Sequence, residues 1–305
     1  MSDIFPRVAK RLRDSGGRGL VASAVDRARS LLGLRPPIVR ATVLGRPLRI
    51  VEGTIRDQTD YDDAWFLACA LRARVIFDVG ANRGDMALLA LLCPDVQDVV
   101  LVEPNPEALV IATENIVRNG LARHVRLVCA FASDTAGAKT RLWTLGSGAA
   151  GSMYAGHAVT ARDHHRSIEV PTVTLDEIAE DYGLLPDLVK IDVEGAERLV
   201  LAGSRRFAAA KKTRFLVEMH SNPELTMESN AARALAWCAD LGYAAWYLAR
   251  GTRLESPEAI RNRGRCHLLL QPSDWPYPAW LTGVPQSAAL GSIPLTVADR
   301  SADAS

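Results

Sequence analysis

Short apolar runs alternate with amphipathic segments along the middle of the chain. Residues 75–79 form an apolar run that ends at Gly80, and the pattern changes to helical spacing from about Asp85. The same change recurs after residues 99–102, which precede a predicted helix at residues 106–119. Such alternation is typical of parallel strands joined by right-handed crossover helices. The pattern therefore predicts an α/β fold built on a mostly parallel sheet.

The alternation continues after a polar, glycine-rich segment at residues 146–167, which we predict to be a long loop. Apolar runs predict one or two strands around residues 38–51 and further strands at 125–131, 168–173, 188–193 and 214–219. Amphipathic patterns predict helices at residues 59–71, 175–182, from 196, and at 231–241. Two last apolar runs, at 244–248 and 266–270, predict an antiparallel hairpin at the sheet edge.

The chain divides into three predicted parts. Residues 1–58 form a basic N-terminal arm with helical pieces and accessory elements, residues 59–271 form the main domain, and residues 272–305 form an irregular tail. Apolar and basic positions alternate at helical spacing between Ile4 and Leu12, which predicts a short amphipathic helix. This helix has two interpretations. It either contacts a membrane surface or a partner, or it packs on the body as a solvated helix.

Composition and charge exclude several classes of protein. With 48% hydrophobic and 23% charged residues the chain is of the globular type, and no apolar stretch reaches the ~20 residues that cross a bilayer. Residues 1–49 hold 11 Lys/Arg against 3 Asp/Glu (net +8), and the remainder holds 25 against 32 (net −7). Nucleic acid is therefore an unfavoured partner of the body. Five scattered cysteines and the lack of a signal-peptide pattern predict free thiols and a cytoplasmic protein, peripheral to a membrane if the arm binds one.

An acidic residue and two glycines lie where the apolar run at residues 75–79 is followed by a predicted helix. Asp78 is in the strand, and Gly80 and Gly84 delimit the turn. Ligands bind at the carboxyl ends of strands in open α/β sheets, and glycine lets the backbone approach them. The spacing differs from that of dinucleotide sites and P-loops, and an acid would repel phosphate. We therefore predict a ligand with positive charge, such as an amino-acid ammonium or a sulfonium group.

Two neighbouring strand ends extend this site towards a nucleoside. Glu103 follows the second strand, where a carboxylate can accept hydrogen bonds from two ribose hydroxyls. After the third strand, Ala130 and Phe131 are predicted to line an adenine slot, and Asp134 is predicted to accept a hydrogen bond from the exocyclic amine.

Four motifs in this order, DVGANRGD, VEPNPE, PTVTLDEI and LVKIDVEGAE, resemble the FkbM family of S-adenosylmethionine-dependent methyltransferases over residues 76–220. The resemblance implies a Rossmann-like, seven-stranded, mostly parallel sheet of the class I methyltransferases, and S-adenosylmethionine as the methyl donor. It also implies an acceptor hydroxyl on a sugar, a glycan or a secondary metabolite. The donor turn departs from the usual pattern at Arg83-Gly84-Asp85, where many members have an apolar residue followed by an aromatic one. The predicted cofactor-binding residues are Asp78, Gly80, Ala81, Asn82, Gly84, Glu103, Pro104, Asn105, Ala130, Phe131, Asp134 and Asp192.

Methyl transfer to a hydroxyl needs an aligned acceptor and removal of its proton. Asp192 and Glu194 end the fourth strand, and Glu218 and His220 end the fifth, so all four are expected at one edge of the sheet. His220 is the first choice of general base because histidine titrates near neutral pH. Asp192 and Glu194 are the other predicted catalytic residues. The structural alternatives are that Glu194 caps the next helix, that Asp192 is a buried acid bonded to backbone, and that His220 is a satisfied core histidine.

Acceptor contacts are predicted for Glu218 and, in the long loop, for Ser152 and Tyr154, where a lid would lie. We predict no metal ligands. The alternative is a divalent ion on Asp192, Glu218 and His220, which no compact ligand spacing supports. Two other functions stay open: a catalytically silent binding protein of the same fold, and a nucleic-acid methyltransferase recruited by the basic arm. The oligomeric state is not indicated by any sequence feature.

Overall fold

The computed structural model describes residues 36–56, 59–144, 167–221 and 224–295. The predicted N-terminal helices and the predicted acceptor contacts Ser152 and Tyr154 lie outside the described residues. The described chain begins with an antiparallel hairpin of β1 (Ile38–Val43) and β2 (Arg46–Val51), where the sequence predicts one or two strands.

The remaining strands are β3 (Val75–Val79), β4 (Asp98–Val102), β5 (Val125–Val128), β6 (Phe131–Ala132), β7 (Lys139–Trp143), β8 (Ser167–Val173), β9 (Leu188–Ile191), β10 (Arg214–His220), β11 (Tyr243–Tyr247), β12 (Thr252–Arg253) and β13 (Arg265–Pro272). The helices are α1 (Asp63–Ala70), α2 (Asp85–Leu91), α3 (Pro106–Arg118), α4 (Leu175–Tyr182), α5 (Glu197–Ala202), α6 (Arg205–Ala208) and α7 (Met227–Leu241). Within the described ranges, none of the helices combines the length and apolar character that a bilayer crossing requires.

Eight strands form the central sheet in the order β12-β11-β13-β10-β9-β3-β4-β5. The strands from β10 to β5 are mutually parallel, whereas β13 is antiparallel to both β10 and β11. The predicted α/β fold with a mostly parallel sheet is confirmed, and the two-residue strand β12 adds an edge strand to the expected seven. The chain moves outward from β3 through β4 to one side and from β9 through β10 to the other. Such a reversal of strand order opens a crevice at the carboxyl ends of the central strands.

Two details of strand assignment differ from the sequence prediction. The predicted strand at residues 125–131 is divided, because β5 ends at Val128 and Phe131–Ala132 pairs with β8 in a separate sheet of order β6-β8-β7. Strand β7 was not predicted, since its side chains are mostly exposed or half-buried and show no apolar run. The predicted hairpin of β11 and β13 is present, with β13 inserted between β10 and β11.

Apolar side chains cover both faces of the central sheet. Ile76 and Leu101 belong to the layer that packs against α1 and α2, whereas Phe77 and Val79 belong to the opposite layer with α4, α5 and α7. Consecutive residues of a strand point to opposite faces, which explains why β3 and β4 are continuous apolar runs. After β13, residues 273–295 form only short 3-10 turns and pack on α1, where the indole N–H of Trp65 donates to the carbonyl of Val284 (2.8 Å).

Side-chain caps start three of the described helices that follow strands, including α7, where Thr226 accepts a hydrogen bond from the N–H of Ser229. The side chain of Asn105 accepts a hydrogen bond from the N–H of Glu107 (3.0 Å) at the start of α3, and Pro106 occupies the first helical position. Thr174 and Glu177 form a capping box at the start of α4. The Asn105 cap turns the chain just after β4, at the edge of the central sheet where the candidate site lies, whereas Thr174 follows β8 of the separate sheet.

Candidate active site

A pocket of ≈ 290 Å³ lies at the carboxyl ends of β3, β4, β9 and β10. Most of the predicted site residues line it. They are Asp78, Gly80, Ala81, Asn82, Glu103, Pro104, Asn105, Phe131, Asp192, Glu194 and Glu218. The topology brings them together, because the ends of adjacent parallel strands meet at one edge of the sheet.

The glycine turn after β3 lies in close contact with the ends of β4 and β9. Gly80 has a φ of +83°, and a Cβ atom there would lie 1.8 Å from the carbonyl oxygen of Asp192, just after β9. On the other side, the N–H of Gly80 donates to the carbonyl of Val102 at the end of β4 (2.9 Å). Gly84, with a φ of +79°, starts α2 and packs against Ala112 of α3. Only glycine fits such a conformation and such an approach, so the turn needs these residues for its shape.

Asp78 is a buried carboxylate with no hydrogen-bond partner for either oxygen among the described residues. Its side chain is 0% exposed. Burial raises the pKa of Asp78 to about 7, although the positive charge of Lys190 opposes the change. An unpartnered buried carboxylate is costly. Its position on the pocket wall therefore fits a ligand that brings a positive charge or hydrogen-bond donors.

Glu103 lies at the end of the neighbouring strand and is oriented by the backbone. One carboxylate oxygen accepts a hydrogen bond from the N–H of Asn82 (2.8 Å), and the other accepts one from the N–H of Asn105 (2.8 Å). Burial raises the pKa of Glu103 to about 7, while these two hydrogen bonds lower it. Each carboxylate oxygen has a second lone pair, so the oriented group can still accept hydrogen bonds from a pair of hydroxyls.

The predicted adenine slot is only partly at the pocket. Phe131 lines it, whereas Ala130 is buried outside the lining residues and Asp134 is exposed to solvent outside them. Asn105 lines the pocket, but its side chain caps α3 and donates to Oγ1 of Thr144 (3.0 Å). Of the three residues predicted for the adenine slot, Phe131 is thus the one at the cavity, and its neighbour Ala132 also lines it.

Lys190 and Asp192 form a pair at the end of β9. The Nζ of Lys190 donates to Oδ2 of Asp192 (3.2 Å), and the lysine is buried. Burial raises the pKa of Asp192 to about 6, against the lowering effect of Lys190. Burial also opposes the charge of Lys190, but the carboxylates of Asp192, Asp62 and Asp78 raise its pKa above the ordinary value. Lys190 is therefore a permanent positive charge on the floor of an acidic pocket.

His220 lies behind the pocket wall and is surrounded by carboxylates. Its Nδ1 donates to Oε1 of Glu197 (2.9 Å), and its Nε2 lies 3.4 Å from Glu218 and 3.6 Å from Glu194. Burial would lower its pKa, but the hydrogen bonds to Glu197 and Glu218 raise the pKa of His220 to about 11. His220 is thus placed as a charged bridge among these acids, and it is not among the residues that line the pocket.

Glu194 and Glu218 are both on the pocket wall. Glu194 adopts a positive φ of 51° and lies two residues before Ala196, the N-cap residue of α5. Glu218 forms an ion pair with Arg265 (3.0 Å) and faces two histidines, His220 and His267, each at 3.4 Å. Although burial opposes it, the facing His220 and His267 and the charge of Lys190 hold the pKa of Glu218 below its ordinary value.

Sequence reasoning did not assign several residues that line the pocket. They are Asp62, Asp63, Asp85, Lys190 and Arg265, together with Gly53, Thr54 and Arg56. Lys190 and Asp85 lie inside quoted motifs, so their position in the chain was a usable signal. Asp62 and Asp63 start α1 and carry no motif, and burial with the charge of Asp62 raises the pKa of Asp63 to about 6. The acidic surplus of the pocket comes from the predicted acids at the strand ends, because Asp62, Asp63 and Asp85 are balanced by Arg56, Lys190 and Arg265.

A sheet of this order, with a glycine turn between two strand-end acids, is the arrangement of a Rossmann-like methyltransferase. A match to the Methyltransferase FkbM domain covers residues 78–244, more than half of the chain. The chain belongs to the FkbM methyltransferase family, which confirms the resemblance of the four motifs. No curated protein matches the chain by sequence.

Solved structures of methyltransferases are similar in fold. The methyltransferase FkbM from Methylobacillus flagellatus is 17% identical, with a TM-score of 0.40 over 66% of this chain and 44% of the other. The present chain thus spans less than half the length of that protein. TYW2 from M. jannaschii, solved in complex with AdoMet, is 14% identical, with a TM-score of 0.41 over 77% and 85% of the two chains. A SAM-dependent methyltransferase from Agrobacterium tumefaciens is 14% identical, with a TM-score of 0.44 over 78% and 70%.

Proposed function

We propose that the protein is an S-adenosylmethionine-dependent O-methyltransferase whose acceptor is a hydroxyl of a sugar, a glycan or a secondary metabolite. Membership of the FkbM family supports methyl transfer and S-adenosylmethionine as the donor. The observation that carries the donor site is the unpartnered buried carboxylate of Asp78 beside the glycine turn.

The donor is held by charge and by paired hydrogen-bond acceptors. S-adenosylmethionine carries a sulfonium and an ammonium group, and Asp78 supplies a negative charge in a site from which water is largely excluded. Glu103, at the next strand end, accepts the ribose hydroxyls with a carboxylate that the N–H groups of Asn82 and Asn105 already orient. Phe131 lies where the adenine ring would follow. The donor supplies an activated methyl group. Residues of the chain orient the acceptor and take up its proton.

Asp192 is the residue that we assign to proton removal. It lines the pocket at the end of β9, its side chain is 27% exposed, and Lys190 orients its carboxylate. In the transfer the acceptor oxygen forms a bond to the methyl carbon, the carbon–sulfur bond breaks with its electron pair going to sulfur, and the hydroxyl proton passes to Asp192. His220 has a positioning role, because its two nitrogens face Glu197, Glu218 and Glu194. Orientation of the acceptor supplies a further part of the rate.

Calorimetric titration of the full chain with S-adenosylhomocysteine tests the donor site. We expect one molecule bound per chain, and at least tenfold weaker binding for Asp78→Asn and Glu103→Gln, since a hydrogen bond to a charged group contributes about 1.5–3 kcal/mol. Asp240→Asn and Glu180→Gln are matched controls, because both side chains are exposed and neither residue lines the pocket. Donor binding that is absent from the wild type, or unchanged in both test variants, would reject the assignment.

The acceptor class is tested by mass spectrometry. Small molecules and glycans from cells with and without the gene are compared for the loss of one methyl group, and extracts of the deficient cells are then incubated with the purified chain and the donor. We expect a hydroxyl-bearing compound to regain the methyl group. Methylation of nitrogen, or of nucleic acid alone, would contradict the proposal.

A further inference from the structure

Beside the donor pocket, three side chains from distant parts of the sequence converge. They are Asp62, immediately before α1, Glu218 on β10 and His267 on β13. One donor atom from each lies within 4.8 Å of the other two. Glu218 and His267 are directly opposite each other in the antiparallel register of β10 and β13, so their side chains share one face of the sheet.

The distances within this cluster suit a shared ligand. Nε2 of His267 lies 3.4 Å from Oε2 of Glu218 and 4.0 Å from Oδ2 of Asp62. Ligand atoms that coordinate one ion at about 2.0–2.2 Å stand roughly 3–4 Å apart, so an ion between the three atoms needs little movement of the side chains. All three are buried, with 5%, 5% and 3% of Asp62, Glu218 and His267 exposed.

The need for a further ligand is clearest at the imidazole of His267. Its Nε2 is buried and has no hydrogen-bond partner among the described residues, although two carboxylates face it. The ring is packed on the indole of Trp65, with centroids 5.6 Å apart, so the imidazole is held in this direction. A buried polar atom without a partner costs about 1–3 kcal/mol. Coordination of an ion by Nε2 would remove that cost.

The carboxylates of Asp62 and Glu218 are placed to share an ion with His267. Asp62 occupies the N-cap position of α1, but its side chain makes no capping hydrogen bond. Glu218 presents Oε1 to Arg265, at 3.0 Å, and keeps Oε2 on the side of His267. Carboxylate ligands of metal ions are commonly held by such an outer hydrogen bond.

We propose that Asp62, Glu218 and His267 bind a divalent metal ion. One imidazole and two carboxylates suit a first-row ion such as Mn²⁺, Co²⁺ or Zn²⁺. Because Asp62 and Glu218 also line the pocket, coordination positions not occupied by protein face the cavity, where they can take an oxygen of the acceptor. This site goes beyond the proposed function, since the ion binds the chain whether or not a donor is present.

A neighbouring group is less suited to an ion. Asp192, Glu218 and His220 also bring donor atoms within 4.8 Å of one another. Nε2 of His220, however, already faces the carboxylates of Glu218 and Glu194, at 3.4 and 3.6 Å. The cluster around His267 is the one with an unpartnered nitrogen.

Metal binding by the full-length, metal-free chain without donor tests the proposal. Titration with MnCl₂, followed by the electron paramagnetic resonance signal of free Mn²⁺, is expected to show one ion bound per chain. Asp62→Asn and His267→Gln are expected to weaken binding at least tenfold. Two matched controls are expected to bind as the wild type does: Asp240→Asn alters an exposed carboxylate outside the pocket, and His124→Gln alters an exposed histidine.

Absorption spectra with CoCl₂ provide a second readout, because ligand-field bands change when an imidazole ligand is lost. The proposal is overturned if Mn²⁺ shows no stoichiometric binding, or if both test variants retain wild-type affinity. Circular dichroism monitors folding, and if His267→Gln does not fold, Asp62→Asn at the pocket wall decides the result. Binding of S-adenosylhomocysteine is measured separately. Loss of metal binding with intact S-adenosylhomocysteine binding shows that the metal site alone has failed.

Discussion

Asp78 and Lys190 are directly paired in the parallel register of β3 and β9, yet the lysine donates its hydrogen bond to Asp192. The two paired residues share a face of the sheet. Lys190 therefore acts on Asp78 through its charge alone, and Asp78 stays without a hydrogen-bond partner among the described residues. The buried charge of Lys190 thus stabilises several carboxylates, while the carboxylate of Asp78 remains available to a ligand. The stability and the pH dependence of the site follow from this arrangement.

Replacement of Lys190 by Met should destabilise the protein strongly at pH 8. The carboxylates of Asp78 and Asp192 would lose their buried counter-charge, and breaking a buried ion pair costs about 3–5 kcal/mol. Both acids have raised pKa values, about 7 and about 6, so at pH 5 they are largely neutral in the folded state and need the lysine less. The loss should therefore be smaller at pH 5 than at pH 8.

Urea unfolding at the two pH values measures this difference. Lys139→Met is the matched control, because Lys139 is exposed and lies 3.9 Å from an equally exposed Glu169. Its effect should be within about 0.5 kcal/mol at either pH. Equal losses for Lys190→Met and Lys139→Met would show that the buried charge has no structural role.

Donor affinity should rise as the pH increases from 6 to 8. The donor binds the carboxylate form of Asp78, whose pKa is about 7, so below that pH the free protein must release a proton on binding. Each such group weakens binding by up to about tenfold per pH unit below its pKa. Glu103, with a pKa also about 7, adds to the slope in the same direction.

Calorimetry of S-adenosylhomocysteine in buffers of different ionisation enthalpy measures the released proton directly. Asp78→Asn should release fewer protons and show a flatter pH dependence, whereas Asp240→Asn should match the wild type. If Asp78→Asn leaves the pH dependence of binding unchanged, the titrating group is another residue.

Gly80→Ala should be more costly than the same change at another glycine with positive φ. At Gly120, with a φ of +70°, an added Cβ meets nothing within 4 Å, so Gly120→Ala should cost about 1 kcal/mol for the backbone conformation alone. At Gly80 the Cβ would collide with the carbonyl of Asp192, which adds about 1–3 kcal/mol and moves the turn. Urea unfolding and donor titration of both variants give the comparison. Equal stability of the two, with donor binding intact in Gly80→Ala, would contradict the close approach.

Asp192→Asn should reduce turnover much more than donor affinity. Loss of a general base lowers kcat about 10²–10⁴-fold, whereas the isosteric amide leaves the pocket shape unchanged. Glu194→Gln, at the same strand end, should lower kcat less than tenfold. Transfer of a labelled methyl group to the acceptor found by mass spectrometry gives kcat, and titration with S-adenosylhomocysteine gives affinity. A larger loss of turnover in Glu194→Gln would transfer the role of base to that residue.

Local patterns in the sequence were sufficient for the central fold and for part of the site. The change from apolar run to helical spacing identifies the ends of β3, β4, β9 and β10, and Asp78, Glu103 and Asp192 lie at three of those ends. Parallel strand ends meet at one edge, so these residues share a pocket as a consequence of the topology. Strand β7, by contrast, has mostly exposed or half-buried side chains and shows no apolar run.

The sequence by itself determined the α/β alternation, the glycine turn and the acids that follow the strands, because each depends on residues that are neighbours in the chain. Only the tertiary structure decided the partners of His220, the pairing of Asp78 with Lys190 and the meeting of Asp62 with His267. Insertion of β13 between β10 and β11 brings His267 opposite Glu218, although the two are far apart in sequence. Charges and hydrogen bonds act through space, and their energies depend on burial, which a linear pattern does not contain.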